Sequence, residues 1–247
     1  MFKNNLSEIF PFVQRLYDVD ELVLVSSDIP SWLNILKKNN VEKVHYINQS
    51  ERKYPFETLP SNWQVSSKLL AKEDGDTTFY ALSNPMLNGT VSSDVLVNLW
   101  QNLETLETTQ QKAVSLKTFV ENECSVSGSK MVVLDSFDGL ALVDELDKLK
   151  VDVVALRVVA DDEEAFTNVN EPKVKQKLQE YGYKNIATYE ENHPKIKTVV
   201  YVKDAKQQTR EYEENLNTVK QNGQKELANA VEVKEKEINK LKSDLEN

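Results

Sequence analysis

Asp135, Ser136 and Asp138 stand together directly after the apolar run at residues 131–134 (MVVL). Asp135 and Asp138 are the chain's best candidates for chemistry, and with a divalent metal their oxygens could hold a ligand. The same residue types also cap helices and shape turns. Asp28 follows a second apolar run, residues 21–25 (ELVLV), and could bind a ligand hydroxyl or a metal, or serve as a turn aspartate. His193 precedes Pro194 in a polar loop and reads as a turn residue, with general-base chemistry as the alternative. His45 alternates with Val44 and Tyr46 and reads as packing. Cys124 has no histidine nearby in sequence and does not read as a nucleophile. Arg157 interrupts an apolar run, so it needs an acidic partner or a place at the exposed end of a strand; Asp161 or Asp162 could serve as that partner.

The elements that must position these residues centre on residues 130–160. The apolar run 131–134, the turn 135–139 and the amphipathic set Leu140, Leu142, Val143, Leu146 and Leu149 predict strand, turn and helix, and 151–159 predicts a second strand. Continuous apolar strands joined through a helix indicate a parallel sheet covered on both faces. Ligands of such sheets bind at the carboxyl ends of the strands, where Asp135 and Asp138 stand. Upstream, residues 6–17 predict a short helix limited by Pro11, 21–25 a strand, 32–38 a helix and 43–48 a second strand. Residues 51–61 read as a loop, 63–70 and 77–83 as strands, 84–93 as irregular, 95–106 as a short helix or an extended segment, and 113–121 as a helix capped by Ser115. Downstream, Pro172 and Gly182 bracket a helix, and 184–190 with 196–202 predict an antiparallel hairpin.

The chain has 247 residues and a formal net charge of −10. An acidic field argues against a nucleic-acid or anionic-membrane surface. One cysteine and two histidines give no disulfide framework, no cysteine-rich zinc site and no multi-histidine metal centre. The N-terminus does not read as a signal peptide and no run is long enough to span a membrane, so a cytoplasmic location is expected. From residue 205 the composition turns to Glu, Lys, Gln and Asn. Leu227, Val231, Lys234, Ile238, Leu241 and Leu245 follow 4-3-4-3-4 spacing, and Tyr212, Leu216, Val219 and Gly223 extend it upstream. With a slip in phase near Gly223, this predicts a coiled-coil helix over 205–247 in preference to a solvated single helix, attached to an α/β domain over 1–204, with homo-oligomerisation through the helix. The seam reaches the last residues without a stop signal, so the chain is expected to continue in a longer protein.

The order of elements resembles that of class I, Rossmann-like methyltransferases, and details resemble the FkbM-type family. Three stretches carry the resemblance: residues 83–90 (SNPMLNGT), 114–119 (VSLKTF) and 133–139 (VLDSFDG). It implies a mostly parallel sheet ending in an antiparallel hairpin, and places Asp135 and Asp138 at the catalytic end. It also implies S-adenosylmethionine contacts from Ser26 and Asp28 after the first strand and from Asn48 after the second. The sequence departs from the pattern there. The first turn, residues 26–32 (SSDIPSW), has no glycine, and the second strand ends in Asn48-Gln49 instead of an acidic residue.

The expectation is a methyltransferase-like domain without catalytic activity and without a bound cofactor. It would act as a scaffold or assembly module in a larger bacterial surface-glycan biosynthesis protein, among glycan-assembly partners. Two alternatives stand beside it. One is an active S-adenosylmethionine-dependent O-methyltransferase acting on a sugar or glycan. The other is a glycosyltransferase-like sugar-nucleotide binder using Asp28, Asp135 or Asp138 with a divalent metal.

Overall fold

A computed structural model describes residues 6–27, 41–50, 59–160, 169–204 and 216–231, with single residues 36, 166, 209, 234 and 236. The chain forms two compact units, Met1–Lys203 and Asp204–Asn247.

The first unit is a mixed α/β layer structure. Its helices and strands are α1 (Leu6–Leu16), β1 (Val19–Ser26), β2 (Lys43–Asn48), β3 (Trp63–Ser66), β4 (Leu69–Ala71), β5 (Gly75–Leu82), α2 (Ser93–Leu96), β6 (Thr105–Ser115), α3 (Leu116–Glu123), β7 (Ser129–Asp135), α4 (Gly139–Leu142), β8 (Val153–Val159), α5 (Glu171–Glu180), β9 (Tyr183–Glu190) and β10 (Ile196–Lys203). Seven strands make one sheet in the order β3-β2-β1-β7-β8-β10-β9. β3, β2, β1, β7 and β8 run parallel, and β10 is antiparallel to both β8 and β9. This is the mostly parallel sheet with a C-terminal antiparallel hairpin that the sequence leads one to expect.

β8 is buried along its whole length, and β7 in all but its first residue. Side chains alternate between two apolar cores. Val23, Val25, Val132, Leu134, Val154 and Leu156 face α3, α4 and α5. Leu22, Leu24, Met131, Val133, Val153 and Ala155 face the side of α1. Burial on both faces explains why these strands read as unbroken apolar runs.

A second, three-stranded sheet in the order β4-β6-β5 interrupts the doubly wound pattern. The sequence does not announce β6, because Thr105–Ser115 is solvated on both faces over most of its length and has no apolar alternation. The segment 63–70 also divides: β3 joins the large sheet and β4 the small one. Within 95–106 only the end of α2 is helical, and β6 begins at Thr105.

Two helix expectations change as well. Pro11 lies inside α1 instead of limiting it. The helix expected after Asp138 is broken into α4 and a 3₁₀ turn at Leu146–Lys148, separated by Glu145 at φ 66°. Leu142, Val143 and Leu146 are each at most 1% exposed. Their burial against the sheet overrides the helical continuity that their spacing suggests. α3 starts as expected, with Ser115 Oγ accepting from the Thr118 amide at 3.0 Å. α5 is capped by Asn170 and followed by Gly182 at φ 79°. The helix expected at 32–38 and the loop at 51–58 lie outside the described residues, apart from Leu36, which is buried.

In the second unit residues 216–231 are helical and exposed throughout. Leu216, Val219, Leu227 and Val231 are 43%, 67%, 67% and 49% exposed. Ile238, Leu241 and Leu245 of the expected seam lie outside the described residues. No helix among the described residues is long and apolar enough to cross a membrane.

Candidate functional site

In the large sheet β1 leads outward to β2 on one side, and β7 leads to β8 on the other. The strand order therefore reverses between β1 and β7, the place in such sheets where ligands bind at the carboxyl ends. Ser26 is the register partner of Asp135 across this boundary and of Asn48 on its other side. Three residues singled out in the sequence thus form one row along the carboxyl edge. Asp28, the fourth, lies outside the described residues, as do Asp161 and Asp162.

Asp135 is 3% exposed. Its Oδ2 accepts from Ser26 Oγ at 3.5 Å, a long contact. Its Oδ1 lies 2.8 Å from Arg157 Nη2. That contact is an ion pair by distance, although the angle is not that of a hydrogen bond. Arg157 comes from the middle of β8 and donates through Nε to Glu191 Oε1 at 3.0 Å. Glu191 Oε1 also accepts from Thr198 Oγ1 at 2.8 Å. The Phe137 ring lies 5.4 Å from the guanidinium carbon of Arg157. Burial pushes the Asp135 carboxyl above the usual carboxylate range, against the pull of Arg157. Burial also works against the Arg157 charge, but Asp135 and Glu191 outweigh it and hold its pKa above the ordinary value.

Asp138, also 3% exposed, faces the neighbouring loop instead. Its Oδ1 accepts from Ser136 Oγ at 2.6 Å and its Oδ2 from Thr90 Oγ1 at 2.7 Å. It occupies the N-cap position of α4 but makes no side-chain capping bond. Burial pushes its carboxyl up, with the two hydroxyls opposing. Ser27 Oγ donates to the carbonyl of Asn88 in a short hydrogen bond, and Asn88 Oδ1 accepts from the Leu82 amide at 2.8 Å. Gly89, at φ 157°, pairs with Tyr80, and its α-carbon faces Ser27 Oγ. The loop after β5 is therefore fastened to the end of β1 by Ser27 and to the turn after β7 by Thr90.

Asn48 is fully buried, and its Oδ1 accepts from the amide and the hydroxyl of Ser50, both at 3.1 Å. This is a local turn closure. His193 behaves as a turn residue. Its Nδ1 accepts from the Lys195 amide at 3.2 Å, which leaves Nε2 to donate to the Leu99 carbonyl at 3.1 Å.

Arg157, Glu191 and Thr90 complete the constellation. A lone arginine inside an apolar strand pointed to a buried ion pair, but its partners come from the end of β7 and the hairpin loop. Chemically, the arrangement holds two buried carboxylates. One is compensated by a guanidinium and one by two hydroxyls.

No protein-family model and no curated protein matches the chain. Among solved structures it is similar to the methyltransferase domain of a bacterial CtHen1, at 10% identity and TM-score 0.41, covering 79% of this chain and 96% of that one. It is similar to the N-terminal domain of EvdMO1 with SAH bound, at 6% identity and TM-score 0.41, covering 81% of each chain. It is also similar to an S-adenosylmethionine-dependent methyltransferase from Clostridium acetobutylicum, at 8% identity and TM-score 0.37, covering 81% of this chain and 91% of that one.

Proposed function

We propose that residues 1–204 form a methyltransferase-like domain that serves as a binding and assembly module and does not transfer methyl groups. One relationship supports this reading above the others. The best-placed carboxylate at the strand-order reversal, Asp135, is held by Arg157, which is itself tied to Glu191. A base or an orienting group needs a face open to substrate, and the Asp135 side chain is 3% exposed.

Two further features weigh against S-adenosylmethionine. Asn48 Oδ1, the acceptor that would have to hold a ribose hydroxyl, already closes the turn at Ser50. The loop after β5 is tied across the end of β1 through Ser27 and the Asn88 carbonyl.

The exposed helix at 216–231 supports the assembly half. Leu227 and Val231 stand four residues apart on one helical face and are 67% and 49% exposed. A coiled coil over 205–247 would cover them and bring copies of the domain together. On the FkbM-type resemblance, the setting would be a larger bacterial surface-glycan protein.

The test is calorimetric titration of the full chain with S-adenosylmethionine and S-adenosylhomocysteine. No heat at millimolar ligand is the expected result, and micromolar binding overturns it. Light scattering behind size exclusion should return a multiple of the 28.3 kDa chain mass, and a strict monomer removes the assembly role.

An active S-adenosylmethionine-dependent O-methyltransferase is the second reading. The row of Ser26, Asn48 and Asp135 along the reversal favours it. Turnover on a sugar acceptor, abolished in Asp135→Asn, would establish it.

A further inference from the structure

We propose that Glu21, His45 and Cys124 form a binding site for one divalent ion of the zinc class, toward the amino ends of the strands and away from the Asp135 constellation. The ligand atoms of these three side chains lie within 4.8 Å of one another.

The fold brings them together from three elements. β1 and β2 are parallel neighbours, with Glu21 opposite Lys43 and Val23 opposite His45, so Glu21 and His45 project from the same face of the sheet. α3 packs on that face through Leu116, Phe119 and Val120. It ends at Cys124, whose amide donates to the Val120 carbonyl at 3.1 Å. The imidazole stands edge-on to the Phe119 ring, with centroids 5.8 Å apart and planes at 89°. Glu21 Oε2 accepts from the Ser125 amide at 2.9 Å, which fixes the carboxylate beside the cysteine.

A second observation points to a ligand. His45 is 3% exposed, and its Nε2 is buried without a hydrogen-bond partner. A buried, unsatisfied ring nitrogen is costly unless something binds it. A metal ion supplies that partner, and an imidazole, thiolate and carboxylate set with an open fourth position suits zinc. The alternative use of this trio, an activated thiol nucleophile, needs a hydrogen bond between Cys124 and His45. No such bond joins them, and His45 Nε2 stands without a partner.

An open cavity of about 560 Å³ reaches Glu21, Lys43 and Ser125, and another of about 250 Å³ reaches Cys124, Ser125 and Lys130. Lys43 and Lys130 are the facing cations. Lys43 Nζ donates to the Glu123 carbonyl and Lys130 Nζ to the Gly128 carbonyl, each at 3.2 Å. In a tetrahedral centre the ligand atoms stand about 3.5 Å apart, so the half-buried Cys124 side chain turns inward on binding. The Cys124 S–H proton leaves to solvent as the sulfur–metal bond forms, and His45 binds as the neutral ring.

The test titrates the reduced full chain with Co²⁺ and follows absorbance. Because the chain has a single cysteine, a thiolate-to-cobalt charge-transfer band reports Cys124 alone. The expected result is saturation at one equivalent, displacement by Zn²⁺, and loss of the band in Cys124→Ala. Glu21→Gln and His45→Gln, checked for folding by circular dichroism, should weaken Co²⁺ by more than about 100-fold, beyond what outer-shell changes cost. No band at stoichiometric Co²⁺, or equal affinity in the two Gln variants, overturns the site.

Discussion

Arg157 Nη2 lies 2.8 Å from Asp135 Oδ1, and the two side chains are 9% and 3% exposed. Removing one member of so buried a pair leaves the other uncompensated. Arg157→Leu is expected to cost about 3–5 kcal/mol. Adding Asp135→Leu should return part of that loss, because two apolar groups need no partner. Urea unfolding of the two single variants and the double variant measures the coupling, and a double variant no more stable than Arg157→Leu contradicts it.

Asp138 gives a pH signature. Burial holds its folded-state pKa above the unfolded value, so its contribution to stability is complete below about pH 4 and is lost as pH rises through the folded value. The stability of the wild type relative to Asp138→Asn should therefore fall as pH rises from about 4 through the folded value. Denaturation midpoints across that range decide it, and a difference that grows with pH rules out the raised value.

Ser115 caps α3 through the Thr118 amide. Ser115→Ala is expected to cost about 1 kcal/mol and Ser115→Gly only a few tenths. Equal losses in thermal unfolding would assign the effect to something other than the cap.

Gly128 has φ 94°, and a β-carbon there would clash with Asp20 Oδ2, which accepts from the Ser129 amide at 3.1 Å. Gly128→Ala should destabilise the fold by about 1–3 kcal/mol. Combining it with Asp20→Ala relieves the clash but not the backbone strain, so the double variant should remain below wild type. An unchanged Tm in Gly128→Ala would show that the loop relaxes freely.

The large sheet was legible because β7 and β8 are buried on both faces and therefore read as apolar runs. The terminal hairpin was legible because only a few polar residues separate its strands. β6 was not, since its Thr and Gln side chains are solvated on both faces and alternation never develops. Its threonines were the available signal. Asp135 was placed at a strand end from local pattern alone. Its engagement with Arg157 was hidden, because that pairing depends on which strands become neighbours. His45 and Cys124 stand as unrelated single residues in the sequence for the same reason. Seventy-eight residues lie between them in sequence, and the packing of α3 on β1 and β2 joins them.

The strand order also has a consequence in time. β8 pairs with β10 and not with β9, although β9 is made first. During synthesis the apolar edge of β8 has no partner until residue 203 has left the ribosome. β9 and β10 are separated by a short turn and can close on each other as a local hairpin, then dock as one piece. A ribosome that stalls when residue 160 but not residue 195 has emerged would leave Val153–Val159 with an open edge, the kind of segment that captures other nascent chains.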